Sequence, residues 1–247
     1  MNKVIALPAF LLFQVALFAQ QVPSDLDAIR PSTFVLNFSQ DNAFGFVPSI
    51  TGTFPSAYQQ WDFSFYGNFW TNPALANQKL NTDFWVESGL GMAWTGVKGK
   101  LTLNPALGFA SGRLLSGGDR GLFAEGLVPS FTAAYKSRRL EGDFYWAWYK
   151  SIRKGKGSKA TSDFTLSWLY AGIIMDRNFS VGMHIENFKA TRITNSEAKN
   201  LYSWLGGYLK ITVKQKYWIR FSTGFNLELD PAYGEEYYKM TVGMPLF

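Results

Sequence analysis

The chain of 247 residues contains no cysteine and a single histidine. The absence of cysteine excludes a disulfide framework, and a single histidine provides no second histidine ligand at a metal-binding spacing. We therefore predict no metal site and no cofactor. Charged residues are also scarce, at 17% of the chain, whereas soluble proteins carry about a quarter. Aromatic residues reach the same 17%. Many Phe, Trp and Tyr side chains must therefore face something other than water.

Long apolar runs are missing as well, except at the beginning of the chain. Lys3 supplies a positive charge, and Val4 to Phe18 are almost wholly apolar. This pattern predicts a secretory signal peptide over residues 1–19, cut near Ala19, followed by a single domain over residues 20–247. A retained anchor is the alternative, but the run is short for a membrane-spanning helix. Any further membrane insertion must therefore use strands.

What the chain does have is alternation of apolar and polar residues. In Trp61 to Trp70, one parity holds Trp61, Phe63 and Phe65, and the other holds polar residues, so a pleated strand would separate them onto opposite faces. The same alternation recurs and predicts twelve strands. They are expected at residues 33–39, 44–54, 59–70, 82–94, 98–110, 126–136, 140–149, 163–175, 179–188, 201–213, 217–227 and 237–247.

The connections between these stretches alternate between short and long. Short turns at 55–58, 95–97, 137–139, 176–178 and 214–216 alternate with longer connections at 71–81, 111–125, 150–162, 189–200 and 228–236. This rhythm predicts an all-β fold, a transmembrane antiparallel up-and-down β-barrel with the short turns and both termini in the periplasm. If the first two strands form a plug or a periplasmic segment, ten strands remain. A soluble β-sandwich is the other alternative, since its strands also alternate.

Three prolines fall inside the predicted strands. Pro48, Pro105 and Pro129 each lack the N–H that a strand donates to its neighbour, and a closed barrel has no free edge for them. We therefore expect bulges or strand ends at these positions.

Three segments carry a family resemblance, namely Asn37-Phe38-Ser39-Gln40-Asp41-Asn42-Ala43-Phe44-Gly45-Phe46, Trp70-Thr71-Asn72-Pro73 and Asn104-Pro105. They resemble segments of an uncharacterised family of Gram-negative outer-membrane barrels. The resemblance implies a barrel in the outer membrane but does not imply any particular activity. Twelve-strand nucleoside channels are similar in size and strand number, which is an analogy of fold alone.

If the aromatic parity faces lipid, the other parity brings charges into the lumen. The predicted acidic wall is Asp62, Asp83, Glu87, Glu141, Asp143 and Glu186, and the predicted basic wall is Lys98, Lys100, Lys210, Arg220 and Lys239. Opposed walls would set a transverse field across a water-filled constriction and screen solutes by charge. Alternatively, these residues form salt bridges that fill a narrow barrel.

Aromatic residues also fall on the predicted inward parity. They include Tyr66, Trp85, Tyr145, Trp204, Tyr208 and Trp218. Such rings can stack on sugars or nucleobases, although interfacial girdles and packing use the same residues. His184 precedes Glu186 by two residues on the same face and is a candidate general base, or a hydrogen-bonded lumen residue.

A basic cluster occupies one predicted external loop, where lipopolysaccharide phosphates would attract it. It consists of Lys150, Arg153, Lys154, Lys156 and Lys159. A solvated loop is the alternative, and we expect no nucleic-acid partner for an exported chain. The last strand ends at Phe247, an aromatic end of the kind that the barrel-assembly machinery recognises.

These features together predict a small outer-membrane channel without enzymatic activity, which passes polar small solutes such as sugars or nucleosides. The first alternative is a closed structural or surface-binding barrel that acts through its external loops. The second is an envelope hydrolase or acyltransferase that uses His184.

Overall fold

A computed structural model describes residues 31–58, 60–70, 85–158, 160–193, 198–214, 216–228 and 234–246. The predicted signal peptide, Asp83, Lys159 and Phe247 lie outside these ranges. The described strands are β1 (Thr33–Asp41), β2 (Gly45–Pro55), β3 (Trp61–Trp70), β4 (Trp85–Gly96), β5 (Leu101–Gly112), β6 (Leu122–Lys136), β7 (Leu140–Ser151), β8 (Ser162–Ile174), β9 (Phe179–Ile193), β10 (Lys199–Val213), β11 (Tyr217–Asn226) and β12 (Glu236–Pro245). Within the described ranges, no helix is long and apolar enough to cross a membrane.

The strands form one closed antiparallel barrel in chain order. Val35 of β1 pairs with Thr51 of β2 on one side and with Pro245 of β12 on the other, which closes the sheet. The predicted all-β barrel of twelve strands is therefore confirmed, and the ten-strand and sandwich alternatives are wrong. We call the barrel end at which β1 begins and β12 ends the termini end. The opposite end, which carries the longer connections, is the loop end.

The prolines behave differently from the expectation. Around Pro105 the β4–β5 ladder passes from Gly91↔Ala106 to Trp94↔Leu103 without a change of register, and the β6–β7 ladder skips Pro129 in the same way. Pro48 lies just beyond the last described pair of β2 with β3. The ladder thus omits pairs at two prolines instead of bulging. The register shifts of the described strands occur at Ala110/Gly112, Asp163/Phe164 and Asn200/Tyr202.

The apolar parity of the strands faces outward, as the alternation predicts. Phe63 on β3 is 51% exposed and Leu90 on β4 is 73% exposed, whereas Glu87, on the inward parity of β4, is fully buried. Aromatic residues with polar tips occur on the outer face at both barrel ends. Those at the termini end include Trp61, Trp94, Tyr135 and Tyr217, and those at the loop end include Trp148 and Tyr238. An apolar band between two aromatic girdles is the surface of a barrel that crosses a bilayer.

This outer surface gives a stability prediction. Leu90 lies at the middle of β4, so Leu90→Arg places a charge near the middle of the apolar band. We expect the variant to lose about 2–4 kcal/mol of folding free energy in lipid vesicles. Reversible unfolding in urea, with vesicles present, measures the difference. Val97→Arg, in the exposed β4–β5 turn, is the control and should change stability little. Equal, small effects of both substitutions would contradict a lipid-facing band.

Candidate functional site

The barrel encloses a cavity of about 480 Å³. It extends from Thr33, Thr53 and Thr102 near the termini end to Phe44 and Trp70 near the loop end. Small uncharged polar side chains on the inward parity of β1, β2, β3, β5 and β6 form much of its wall. They include Asn37, Ser39, Ser49, Thr51, Ser64, Asn68, Asn104, Ser130 and Thr132. Their short side chains leave space at the centre of the barrel, which larger residues would fill.

The loop end of the lumen is filled by buried rings, which we call the aromatic plug. Its members are Phe44, Trp70, Trp85, Tyr149, Phe164, Phe188, Tyr202, Trp204 and Tyr237. Ring centroids are 4.6 Å apart for Phe44 and Trp70, and 4.0 Å apart for Tyr202 and Trp204. A void of about 10 Å³ lies among the plug residues. That space is about the minimum for one water molecule, so these rings block the lumen at the loop end.

Phe44 enters the lumen from the short turn between β1 and β2. The Asp41 carboxylate accepts hydrogen bonds from the backbone N–H groups of Ala43, at 3.0 Å, and Phe44, at 2.6 Å. Gly45 follows with φ of 69°, a left-handed conformation that glycine adopts without strain. This capped turn fixes Phe44 between the cavity and the small void, both of which it lines.

A second segment closes over the loop end, the connection between β5 and β6 at residues 113–121. The buried Glu125 carboxylate accepts hydrogen bonds from the N–H groups of Leu115 and Ser116, at 3.1 and 2.8 Å, and from the Ser116 hydroxyl at 2.7 Å. Its other oxygen accepts one from the Trp85 indole at 2.9 Å. Glu125 therefore ties this loop to the aromatic plug, and Leu115 is fully buried as a result.

Glu125→Ala should release the 113–121 loop. Without the carboxylate, the N–H groups of Leu115 and Ser116 and the Trp85 indole lose their acceptor, which we expect to cost about 2–4 kcal/mol. The loop also contains Arg113 and Arg120, so limited trypsin digestion should cut it much faster in the variant than in the wild type. The exposed Glu236 lies at the same barrel end, and Glu236→Ala is the matched control. Equal cleavage rates for both variants would contradict this role of Glu125.

The charged residues that were predicted as two opposed walls are joined by ion pairs. Lys210 contacts Glu141 at 2.8 Å, and Arg220 contacts Asp143. These pairs link β7 with β10 and with β11. Because β7 is adjacent to neither of those strands in the barrel, the pairs cross part of the lumen. Because each charge lies beside its opposite, the field they produce is local.

Lys239 is the centre of a third group. Its ammonium nitrogen lies 2.8 Å from Glu186 and 3.6 Å from Asp41. The other Glu186 oxygen accepts a hydrogen bond from the Tyr202 hydroxyl at 2.8 Å. Since Asp41 caps the turn that carries Phe44, Lys239 connects the buried carboxylates of the lumen to the turn and the plug.

The remaining predicted acidic residues have different surroundings. Glu87 is fully buried and accepts hydrogen bonds from the Tyr149 hydroxyl at 3.3 Å and the Asn68 amide at 3.5 Å. Asp62 lies on the inward parity of β3 and is half-buried. Neither lines the cavity.

Lys98 and Lys100 are a correction to the predicted basic wall. Both lie in the exposed turn between β4 and β5 at the termini end, outside the barrel wall. Val97, Lys98 and Gly99 all have positive φ, so the chain reverses direction here and the fifth strand begins only at Leu101. The lysine side chains are therefore solvated.

The predicted aromatic residues separate into three groups. Tyr66, Tyr145 and Trp218 line the cavity. Trp85 and Trp204 belong to the aromatic plug. Tyr208 donates a hydrogen bond to Glu141 at 2.9 Å.

Four residues of the interior were not predicted from the sequence as site residues. They are Phe44, Asp41, Glu125 and Trp168, the last of which lines the cavity. The unusually short first hairpin was the one available signal for Phe44, since a side chain in so short a turn lies close to the lumen.

His184 is fully buried in the barrel. Its ring stacks on Tyr170 at 4.0 Å, its Nδ1 is 2.9 Å from the Tyr237 hydroxyl, and its Nε2 is 3.3 Å from Glu186. Nδ1 has a hydrogen-bond partner, whereas Nε2 lies beside the Glu186 carboxylate without forming a hydrogen bond, and the residue does not line the cavity. The surroundings are those of the hydrogen-bonded lumen residue that the sequence offered as the alternative to a general base.

The basic cluster in the β7–β8 connection is partly engaged with the protein. Lys150 contacts Asp163 at 2.7 Å, and the same carboxylate also binds Arg192. Arg153 donates a hydrogen bond to the Phe123 carbonyl at 2.5 Å. Lys154 and Lys156 are exposed at the loop end.

The fold and interior thus define a class, a closed antiparallel barrel of twelve strands with an internal cavity lined by polar and apolar side chains. An outer membrane channel from Pseudomonas putida F1 has a similar structure, with a TM-score of 0.55 and 11% identity over 91% of this chain and 99% of that chain. The NanC porin is also similar, with a TM-score of 0.50 and 10% identity over 85% and 98%. At these identities the likeness establishes the shared fold alone.

The chain belongs to a family of unknown function, DUF6733, which it matches over residues 1–246. No curated protein sequence matches it significantly.

Proposed function

We propose that the protein is an outer-membrane channel for small polar solutes and that the structure represents its closed state. The observation that carries this proposal is the cavity, which runs from the termini end to Phe44 and whose wall combines hydroxyl and amide groups with apolar and aromatic side chains. A barrel with a purely mechanical role does not need such a space, since larger side chains would fill it and stabilise the fold. The aromatic plug closes the loop end of this space.

The closed end supports a second candidate, a surface-binding barrel that acts through its external loops. The void within the plug is only about 10 Å³, and the connections 113–121 and 152–161 are hydrogen-bonded to each other above it. In this candidate the plug is permanent and serves to hold the loops in place.

Recordings across planar bilayers distinguish the two candidates. For the channel we expect the wild-type protein to be mostly silent, with brief openings, and a variant with a smaller plug residue to show sustained steps. If the purified, folded protein and its plug variants never produce steps, the surface-binding candidate is favoured.

The proposed location follows from the outer surface of the barrel. We propose that residues 1–19 direct export and are removed near Ala19, and that the assembly machinery inserts the barrel through the last strand together with the terminal Phe247. With both termini in the periplasm, the cavity opens to that side, and the exposed Lys154 and Lys156 face lipopolysaccharide at the cell surface.

A further inference from the structure

We infer that the cavity binds an uncharged carbohydrate. This inference rests on the proposed function, because it assigns the class of solute that occupies the channel. It depends on three properties of the cavity wall, namely the position of its aromatic rings, the hydroxyl and amide groups between them, and the pairing of its charges.

Aromatic rings border the cavity from three directions. Tyr66 projects from β3, Tyr145 and Trp168 project from the adjacent strands β7 and β8, and Trp218 projects from β11. In the closed barrel these positions are separated by two or three intervening strands each. All four residues are only half-buried, so part of each ring faces the cavity. A solute in the cavity therefore meets flat apolar surfaces on several sides.

The rings lie against the wall instead of filling the space. A Cβ atom at Gly89 or Gly108 would come within 2.4 or 2.3 Å of Tyr66, so these two glycines are what allow its ring to lie along the neighbouring strands. Tyr145 and Trp168 stack on each other, with centroids 5.5 Å apart and planes 17° apart. Such surfaces suit the C–H faces of a sugar ring.

The wall between the rings offers hydrogen bonds of both kinds. Asn37 and Thr51 lie on β1 and β2, and Asn104 and Thr132 lie on β5 and β6. Amides and hydroxyls both donate and accept, so they can satisfy the many hydroxyl groups of a carbohydrate whatever its orientation.

The charges that border the cavity do not favour an ionic solute. Arg220 contacts Asp143, and Lys239 contacts both Glu186 and Asp41. An ion would have to compete with these pairs, whereas an uncharged solute leaves them intact. The cavity therefore favours a solute that forms hydrogen bonds, stacks on aromatic rings and carries no net charge.

The test is equilibrium binding to the purified full-length protein in detergent, followed by intrinsic tryptophan fluorescence. Maltose is the neutral probe, glucuronate is the anionic probe, and uridine represents a planar base. We expect maltose to bind more tightly than the other two. Tyr145→Ala and Trp168→Ala should each weaken maltose binding by about five- to tenfold, because each removes a stacking surface.

Neighbouring residues provide matched controls, since Trp146 and Leu169 follow Tyr145 and Trp168 but face outward. Trp146→Ala and Leu169→Ala should leave maltose binding within about twofold of the wild type. Tyr145→Phe keeps the ring and should also bind maltose normally. This result would assign the loss in Tyr145→Ala to the missing ring and not to the missing hydroxyl group. Tighter binding of glucuronate or uridine, or equal effects of inward and outward substitutions, would overturn the inference.

This outcome is independent of the channel test. Sustained conductance of a plug variant without maltose binding would refute the carbohydrate and leave the channel. Maltose binding without conductance in any variant would support the carbohydrate site and refute the channel.

Discussion

Replacing Phe44 with alanine is expected to convert a mostly silent barrel into a conducting one. Phe44 and Trp70 are plug residues that line both the cavity and the small void beyond it, and of the two only Phe44 is carried by a turn instead of a strand. Removing its ring joins the two spaces without altering a strand ladder. Because a hydrophobic constriction controls conduction through its width and wetting, we expect mean conductance to rise on the order of tenfold.

The matched control for Phe44→Ala is Phe46→Ala. Phe46 lies two residues away at the start of β2, faces outward and is 45% exposed, so its removal should leave the conductance at the wild-type level. Circular dichroism would verify that both variants are folded. Conductance that is unchanged in folded Phe44→Ala, or raised equally in both variants, would contradict the role of Phe44.

Lys239→Met is expected to produce the largest loss of stability. The substitution removes the ammonium group that lies 2.8 Å from Glu186 and 3.6 Å from Asp41, and both carboxylates are almost completely buried. Loss of one partner of a buried ion pair leaves an uncompensated charge, which costs about 3–5 kcal/mol. Urea unfolding in lipid vesicles measures this loss.

Two further variants serve as controls for the result at Lys239. Lys216→Met, in the exposed turn between β10 and β11, should change stability by less than about 0.5 kcal/mol. Adding Glu186→Gln to Lys239→Met should restore part of the lost stability, because it removes the unpaired charge. A loss below about 1 kcal/mol for Lys239→Met, or strict additivity in the double variant, would show that the buried pair contributes little.

The barrel itself could be predicted from the sequence. Alternation in stretches such as Trp61–Trp70 determines which side chains face lipid, and the predicted strands agree with the observed ones to within a few residues, apart from longer extensions at the loop end. Both properties depend on local patterns of hydrophobicity and turn residues, which a single chain displays directly.

The interior could be predicted less well, because it depends on which strands approach each other across the lumen. Parity places Glu141 and Lys210 inside the barrel but does not reveal that they meet, since 69 residues separate them. Parity also cannot show that the β1–β2 turn points Phe44 inward or that Glu125 holds a loop over the lumen. These features result from closure of the sheet, which brings distant side chains together.

Cysteine labelling tests the central claim most directly, because the natural chain has no cysteine. Thr51 lines the cavity and its neighbour Ile50 lies on the outward parity of β2. In oriented vesicles, a water-soluble, membrane-impermeant maleimide should modify Thr51→Cys from the termini end only, and Ile50→Cys from neither side. Rapid modification of Thr51→Cys from the loop end, or equal modification of both positions, would contradict a water-filled cavity that is closed by the aromatic plug.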